Sequence, residues 1–261
     1  MRPLEGVTPT RIRILAFFLL AYALTWFGNL GNVIHPAVWW PRPMFVLGPI
    51  LAAPLVIGWT EGRAGLLAWW HRILRFRAPG RIYAAGLLIP LAIIVTSAAL
   101  AVAAGASLPP IAAWNWGALL VALPIVPLGG PIPEEPAFRG YGQHVLQQTM
   151  SPLAASLWIG LGVLVWHLPI LIIGGIPWPI AVALPAVSVV YAWLYQAGGS
   201  IWPLVGLHFI QNLVGGMLFG AMFDGRGDVV WTGFLAALYV LWALILAWRL
   251  GPTLGAAVRT K

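Results

Sequence analysis

Apolar runs of roughly 20 residues recur along the whole chain, each long enough to cross a hydrocarbon core of about 30 Å as a helix. They predict eight spans, near residues 14–34, 44–60, 82–104, 116–132, 153–173, 177–196, 200–222 and 229–249. The short connections leave no room for a separate soluble domain, so residues 1–261 read as a single integral membrane domain. The fold class expected is all-α, a polytopic transmembrane helical bundle. Between the second and third runs the period changes. Leu66, Leu67, Trp70, Ile73 and Leu74 share one helical face and Arg63, His71, Arg72 and Arg75 the other, so an amphipathic helix lying in the membrane interface is expected over 64–77.

The fourth run is interrupted by Pro124, Pro127, Gly129, Gly130, Pro131 and Pro133, just before Glu134 and Glu135. Broken backbone at membrane depth is tolerated only where protein buries it or where it borders a water-filled space. A polar intramembrane cavity is therefore expected beside these two carboxylates.

Composition agrees with this pattern. The chain is 61% hydrophobic and 8% charged, with a mean hydropathy of +0.91. The net charge of +8 does not indicate nucleic acid, because the arginines are dispersed between apolar runs without interleaved polar reading residues. It indicates orientation. With the N-terminus inside, Arg11, Arg13, Arg63, Arg72, Arg75, Arg77, Arg81, Arg139, Arg249, Arg259 and Lys261 fall on one side, and only Arg42 and Arg226 fall opposite. Both termini are then cytoplasmic, in a cell (inner) membrane, and the cavity is expected in the cytoplasmic half. Residues 2–23 imitate a secretory signal, but the apolar pattern runs on to about Ile34 and reads as an uncleaved span. The sixteen tryptophans suit the headgroup level, and with no cysteine any catalysis must use Glu, His or a hydroxyl.

Only six carboxylates exist: Glu5, Glu61, Glu134, Glu135, Asp224 and Asp228. A carboxylate near hydrocarbon costs about 2.5–3.5 kcal/mol on insertion scales, so an adjacent pair there marks a site or a buried ion pair. Glu135 and Arg139 stand at i, i+4 and can pair, while Glu134 points about 100° away around the helix and is the freer carboxylate, available as a general base. His167 lies inside an apolar span two residues before Pro169, and His208 and Asn212 stand at i, i+4 on one helix face. His35, His71 and His144 fall near interfaces, where water satisfies the ring, although His144 could still reach the cavity. Asp224, Arg226 and Asp228 read as a solvated turn.

The ordered set Glu134-Glu135-x-x-x-Arg139, His167, and His208-x-x-x-Asn212 resembles the CAAX protease and bacteriocin-processing family, which includes the type II CAAX prenyl endopeptidases. The likeness covers a motif-bearing core at about 130–215, helped by Gly140-Tyr141 and Ser200-Ile201-Trp202-Pro203. Val163 departs from it, standing where the family usually has phenylalanine. The resemblance implies an intramembrane endopeptidase in which Glu134 and His167 activate water, His208 and Asn212 stabilise the oxyanion, and Glu135 and Arg139 support them. Its substrate would be a membrane-associated polypeptide, a prenylated CAAX protein or a leader-bearing peptide, with the lipid bilayer as the other partner.

No cofactor is favoured. A zinc-dependent version is the alternative, since Glu134, His167 and His208 could form a His₂Glu set, although no His-Glu-x-x-His helix is present. Two further classes share the same polar inventory: a secondary transporter built on a broken helix, and an inactive immunity or chaperone-like scaffold.

Overall fold

The computed structural model describes residues 9–34 and 44–256. His35, Arg42, Arg259 and Lys261 lie outside the described residues. Every regular element described is helical. In chain order these are α1 (Thr10–Ile34), α2 (Met44–Ile73), α3 (Gly80–Ala103), α4 (Trp116–Ile125), α5 (Pro131–Ala137) and α6 (His144–Leu146), with a π-helical turn, Phe138–Gln143, joining the last two. Then come α7 (Pro152–Ile172), α8 (Ile180–Gly198), α9 (Trp202–Ile210) continuing as a π-helical stretch, Gln211–Phe219, and α10 (Gly225–Leu250).

Seven of these helices are long and apolar enough to cross a membrane, α9 together with its π-helical continuation counting as one. The eighth expected span is not a full helix. α4 has ten residues and would cover only about 15 Å, after which Pro127, Gly129 and Gly130 break the ladder and α5 begins anew. α2 is broken as well: Gly62 adopts φ 63, ψ −159, splitting the helix into an apolar leg and a second leg over 63–73. The second leg leaves Leu67, Trp70 and Leu74 exposed, yet it buries Trp69 and Ile73 against the turn after α5.

Local chemistry sets the ends. Asn115 caps α4 by accepting from Ala118 N–H at 2.9 Å, and Ser151 caps α7 by accepting from Ala154 N–H at 3.2 Å with Pro152 behind it. Gly199 closes α8 in the left-handed region at φ 63.

The helices pack in two large apolar groups and a small third one, in which Ala122 and Val126 meet Leu213. Of the large groups, one joins α3, α8, α9 and α10 around Ile94, Val190, Leu204 and Tyr239, and the other joins α1, α2, the α5 turn and α7 around Phe17, Ile57, Phe138 and Ile159. Because lipid is as apolar as the core, close backbone approach and interhelical hydrogen bonds carry much of the association. A Cβ on Gly86 of α3 would lie 2.3 Å from the Pro203 carbonyl oxygen of α9. Between α1 and α7, Tyr22 donates to Gly162 O at 2.8 Å, Trp26 to Trp166 O at 3.2 Å and Trp166 to Thr25 Oγ1 at 2.7 Å.

Gly86→Val therefore forces α3 away from the α9 backbone, at a cost of about 1–3 kcal/mol. Its folded yield and thermal midpoint in detergent should fall, whereas Gly233→Ala, with nothing within 4 Å of the added carbon, should leave both near wild type.

Candidate functional site

α5 carries Glu134 and Glu135 into the bundle interior, where both side chains are buried. Glu135 meets two basic side chains. Its Oε2 lies 3.3 Å from Arg139 Nε, the i, i+4 pair, and its Oε1 lies 2.8 Å from His208 Nδ1. Arg139 continues the network by donating from Nη2 to Ser188 Oγ at 3.1 Å, and its guanidinium lies over the Tyr191 ring at 4.6 Å. Tyr191 donates to Gln211 Oε1 at 2.8 Å, and Gln211 Nε2 donates to the Tyr239 hydroxyl at 3.0 Å.

Glu134 faces elsewhere. A Cβ built on Gly130 would lie 2.7 Å from Asn212 Nδ2 and 3.4 Å from both Glu134 Oε1 and His208 Nε2. A carboxylate oxygen, an imidazole nitrogen and an amide nitrogen from three points in the chain thus surround the space above one glycine Cα. Any side chain at residue 130 would fill that space.

His167 is oriented by its own helix. Its Nδ1 lies 2.9 Å from Val163 O, and because a carbonyl oxygen can only accept, Nδ1 carries the proton and Nε2 is the free nitrogen. Trp166 sits edge-on to the imidazole with ring centroids 4.5 Å apart. The Trp166 bonds to α1 therefore hold this turn of α7 in place.

Both π-helical segments adjoin site residues. Arg139 lies in the first, and Asn212 lies in the first turn of the second, just after His208 at the end of α9. His208 and Asn212, four residues apart on one helix face, address the same space above Gly130. The carbonyls of Pro136, before the first π turn, and of Gly140, within it, accept from Trp69 Nε1 at 3.1 Å and Arg72 Nη1 at 2.8 Å respectively.

Glu134, Glu135, Arg139, His167, His208 and Asn212 all line one cavity of about 480 Å³. His71 and His144 do not. Asp228, read from sequence as part of a solvated turn with Asp224 and Arg226, lines the cavity from the first turn of α10. Sequence marks Gly130 only as part of the break in the fourth run, and it does not single out Ser188, Tyr191, Gln211 or Tyr239, of which only Gln211, beside Asn212, sits within a recognisable motif. Among the described residues, no three His, Asp or Glu side chains stand together as a metal-ligand set.

The cavity lies toward the end of the bundle opposite the arginine-rich α2–α3 connection, not toward it as expected. The cause is the broken fourth segment. α4 is short enough that α5 starts partway through the bundle, leaving the π turn to carry the chain on toward the arginine-rich end.

Fold and cavity together define a polytopic helical membrane protein with carboxylate, imidazole and amide groups lining one intramembrane cavity. Residues 113–214, which contain all six of these side chains, match the family model described as Type II CAAX prenyl endopeptidase Rce1-like. Through that segment the chain is similar to the CAAX protease and bacteriocin-processing family of intramembrane peptidases. No curated protein matches the sequence.

Arg139→Ala should leave Glu135 buried without its ion-pair partner, a loss of about 3–5 kcal/mol for breaking such a pair. Reduced folded yield together with reduced activity is expected, read by size-exclusion profile and thermal unfolding in detergent. A wild-type melting curve would contradict a structural role for the pair.

Proposed function

We propose that the chain hydrolyses a peptide bond of a membrane-associated polypeptide, prenylated or leader-bearing, with Glu134 as general base. The observation that carries this reading is the convergence of Glu134 Oε1, His208 Nε2 and Asn212 Nδ2 on the space above Gly130. A water molecule fits the chemistry of that space. Glu134, helped by the free Nε2 of His167, takes the proton as the water oxygen bonds to the scissile carbonyl carbon. The carbonyl oxygen becomes an oxyanion facing the Asn212 amide, and His208, held at Nδ1 by Glu135, donates to it from Nε2 when protonated. Collapse re-forms the carbonyl, breaks the C–N bond and returns the proton from Glu134 to the leaving amine.

Glu135 and Arg139 are positioning residues here. They touch no substrate atom and act through the orientation of His208. The buried network around them supports this division of labour between two adjacent carboxylates. The bilayer is the second partner, the host a cell (inner) membrane, and both termini are cytoplasmic by the arginine distribution. The zinc version of the chemistry would need Glu134, His167 and His208 to act as one ligand set through their cavity-facing atoms. A transporter reading would need no oxyanion donor, and so leaves Asn212 without a role.

Glu134→Gln should abolish cleavage of a membrane-tethered peptide library by purified protein while leaving the melting curve intact. Asn212→Ala should lower kcat by about 10²–10³-fold, the usual consequence of losing one oxyanion donor, with little change in KM. Full activity of Glu134→Gln would overturn the assignment.

Exhaustive chelation should leave turnover intact. Stoichiometric metal, abolished cleavage and recovery on adding zinc or cobalt would replace the carboxylate mechanism with the zinc-dependent one.

A further inference from the structure

Resting on the peptidase reading, we infer that the site receives its substrate from the extracytoplasmic side of the membrane, so that its substrates are polypeptide segments already translocated across it. The inference follows from which ends of the helices meet at the cavity. At one end of the bundle Trp202 Nε1 donates to Ile73 O at 2.9 Å and Ser200 Oγ to Arg75 O at 2.6 Å, so the α8–α9 connection lies beside the α2–α3 connection. At the other end the Trp114 ring meets Phe219 at 5.9 Å, and a Cβ on Gly227 would lie 3.8 Å from Ala106 Cβ. The start of α10 therefore lies beside the end of α3 and the approach to α4.

The cavity belongs to this second end. Besides the site residues it is lined by Phe45 in the first turn of α2, Gly175 and Pro177 of the α7–α8 connection, and Gly220 and Asp228 flanking the start of α10. A second, more apolar space of about 750 Å³ shares Gly129, Asn212 and Gly216 with it and runs to Asn115 and Ala118 at the start of α4, again toward this end. Toward the first end the way is filled. Trp69, Phe138, Tyr141, Ile73 and Ile201 are all buried there, and among the described residues none of residues 74–79, 147–151 or 199–201 lines the cavity.

Charge says which end is which. Arg63, Arg72, Arg75, Arg77 and Arg81 cluster at the filled end, joined by Arg249 at the close of α10. The open end, among the described residues, has Arg226 alone, between Asp224 and Asp228. Arginines in short connections next to spans are retained on the cytoplasmic side, so the filled end is cytoplasmic and the cavity opens outward. A cytoplasmic prenylated carboxyl terminus cannot reach this mouth, whereas the translocated part of a leader-bearing or membrane-anchored polypeptide can.

The chain has no cysteine, so a single introduced cysteine reports alone. Full-length Arg226→Cys, Ile176→Cys and Arg77→Cys variants are expressed in bacteria and converted to sealed spheroplasts, then treated with a membrane-impermeant maleimide. Arg226→Cys and the cavity-lining Ile176→Cys should label before lysis, and Arg77→Cys only after it. The reverse pattern overturns the assignment of side. This readout needs no turnover, so it stands apart from the peptidase reading, whose own failure would be the absence of Glu134-dependent cleavage by purified protein. A tethered reporter displaying one cleavable peptide on either face then adds the functional test. Cleavage confined to the outer display supports the inference, and cleavage confined to the inner display refutes it.

Discussion

Glu135 is a carboxylate almost wholly withdrawn from solvent, and an isolated charge in that position would cost more than the fold could sustain. Its two oxygens are divided between Arg139 on the next helical turn and His208 on α9, so one side chain ties the first motif to the third. The guanidinium of Arg139 then reaches Ser188 and Tyr191 on α8, which draws a further helix into the same network. Removing any member leaves a buried polar group without its partner. The stability of the core and the aim of His208 Nε2 therefore depend on the same contacts.

The network can exist only because the backbone is irregular around it. A continuous fourth span would satisfy its own hydrogen bonds but would present Glu134 and Glu135 along a straight helix with no space beside them. The break at Pro127–Gly130 starts α5 inside the bundle, and the two π-helical segments widen the turns that carry Arg139 and Asn212. Such irregular backbone survives at membrane depth because other parts of the protein serve its polar groups, as Trp69 and Arg72 do for the carbonyls of Pro136 and Gly140. Gly130 completes the arrangement by having no side chain. The space this leaves is bounded by the three atoms on which the proposed chemistry depends.

Aromatic residues support the second histidine in a different way. His167 sits in no ion network; its orientation comes from the backbone carbonyl four residues earlier and from Trp166, which α1 holds through Thr25. Several of the sixteen tryptophans also act as donors between elements: Trp26, Trp69, Trp166 and Trp202 each donate to a group on another element. In a medium as apolar as the core itself, a satisfied indole N–H between helices is a means of specifying which helices meet.

The sequence by itself determined the helical membrane architecture, because runs of apolar residues long enough to cross a bilayer have few other stable states, and it determined which residues are chemically exceptional, because charged and imidazole groups are costly in hydrocarbon. The pairing of Glu135 with Arg139 was also legible, being a matter of four residues along one helix. Tertiary structure decided the rest. That Glu135 also holds His208, that Tyr191, Gln211 and Tyr239 form one hydrogen-bonded chain, that Gly130 leaves the central space, and that the cavity faces away from the arginine-rich end all depend on contacts between residues far apart in the chain. Periodicity reports only which face of its own helix a residue occupies; the group across from it is set by how the helices pack.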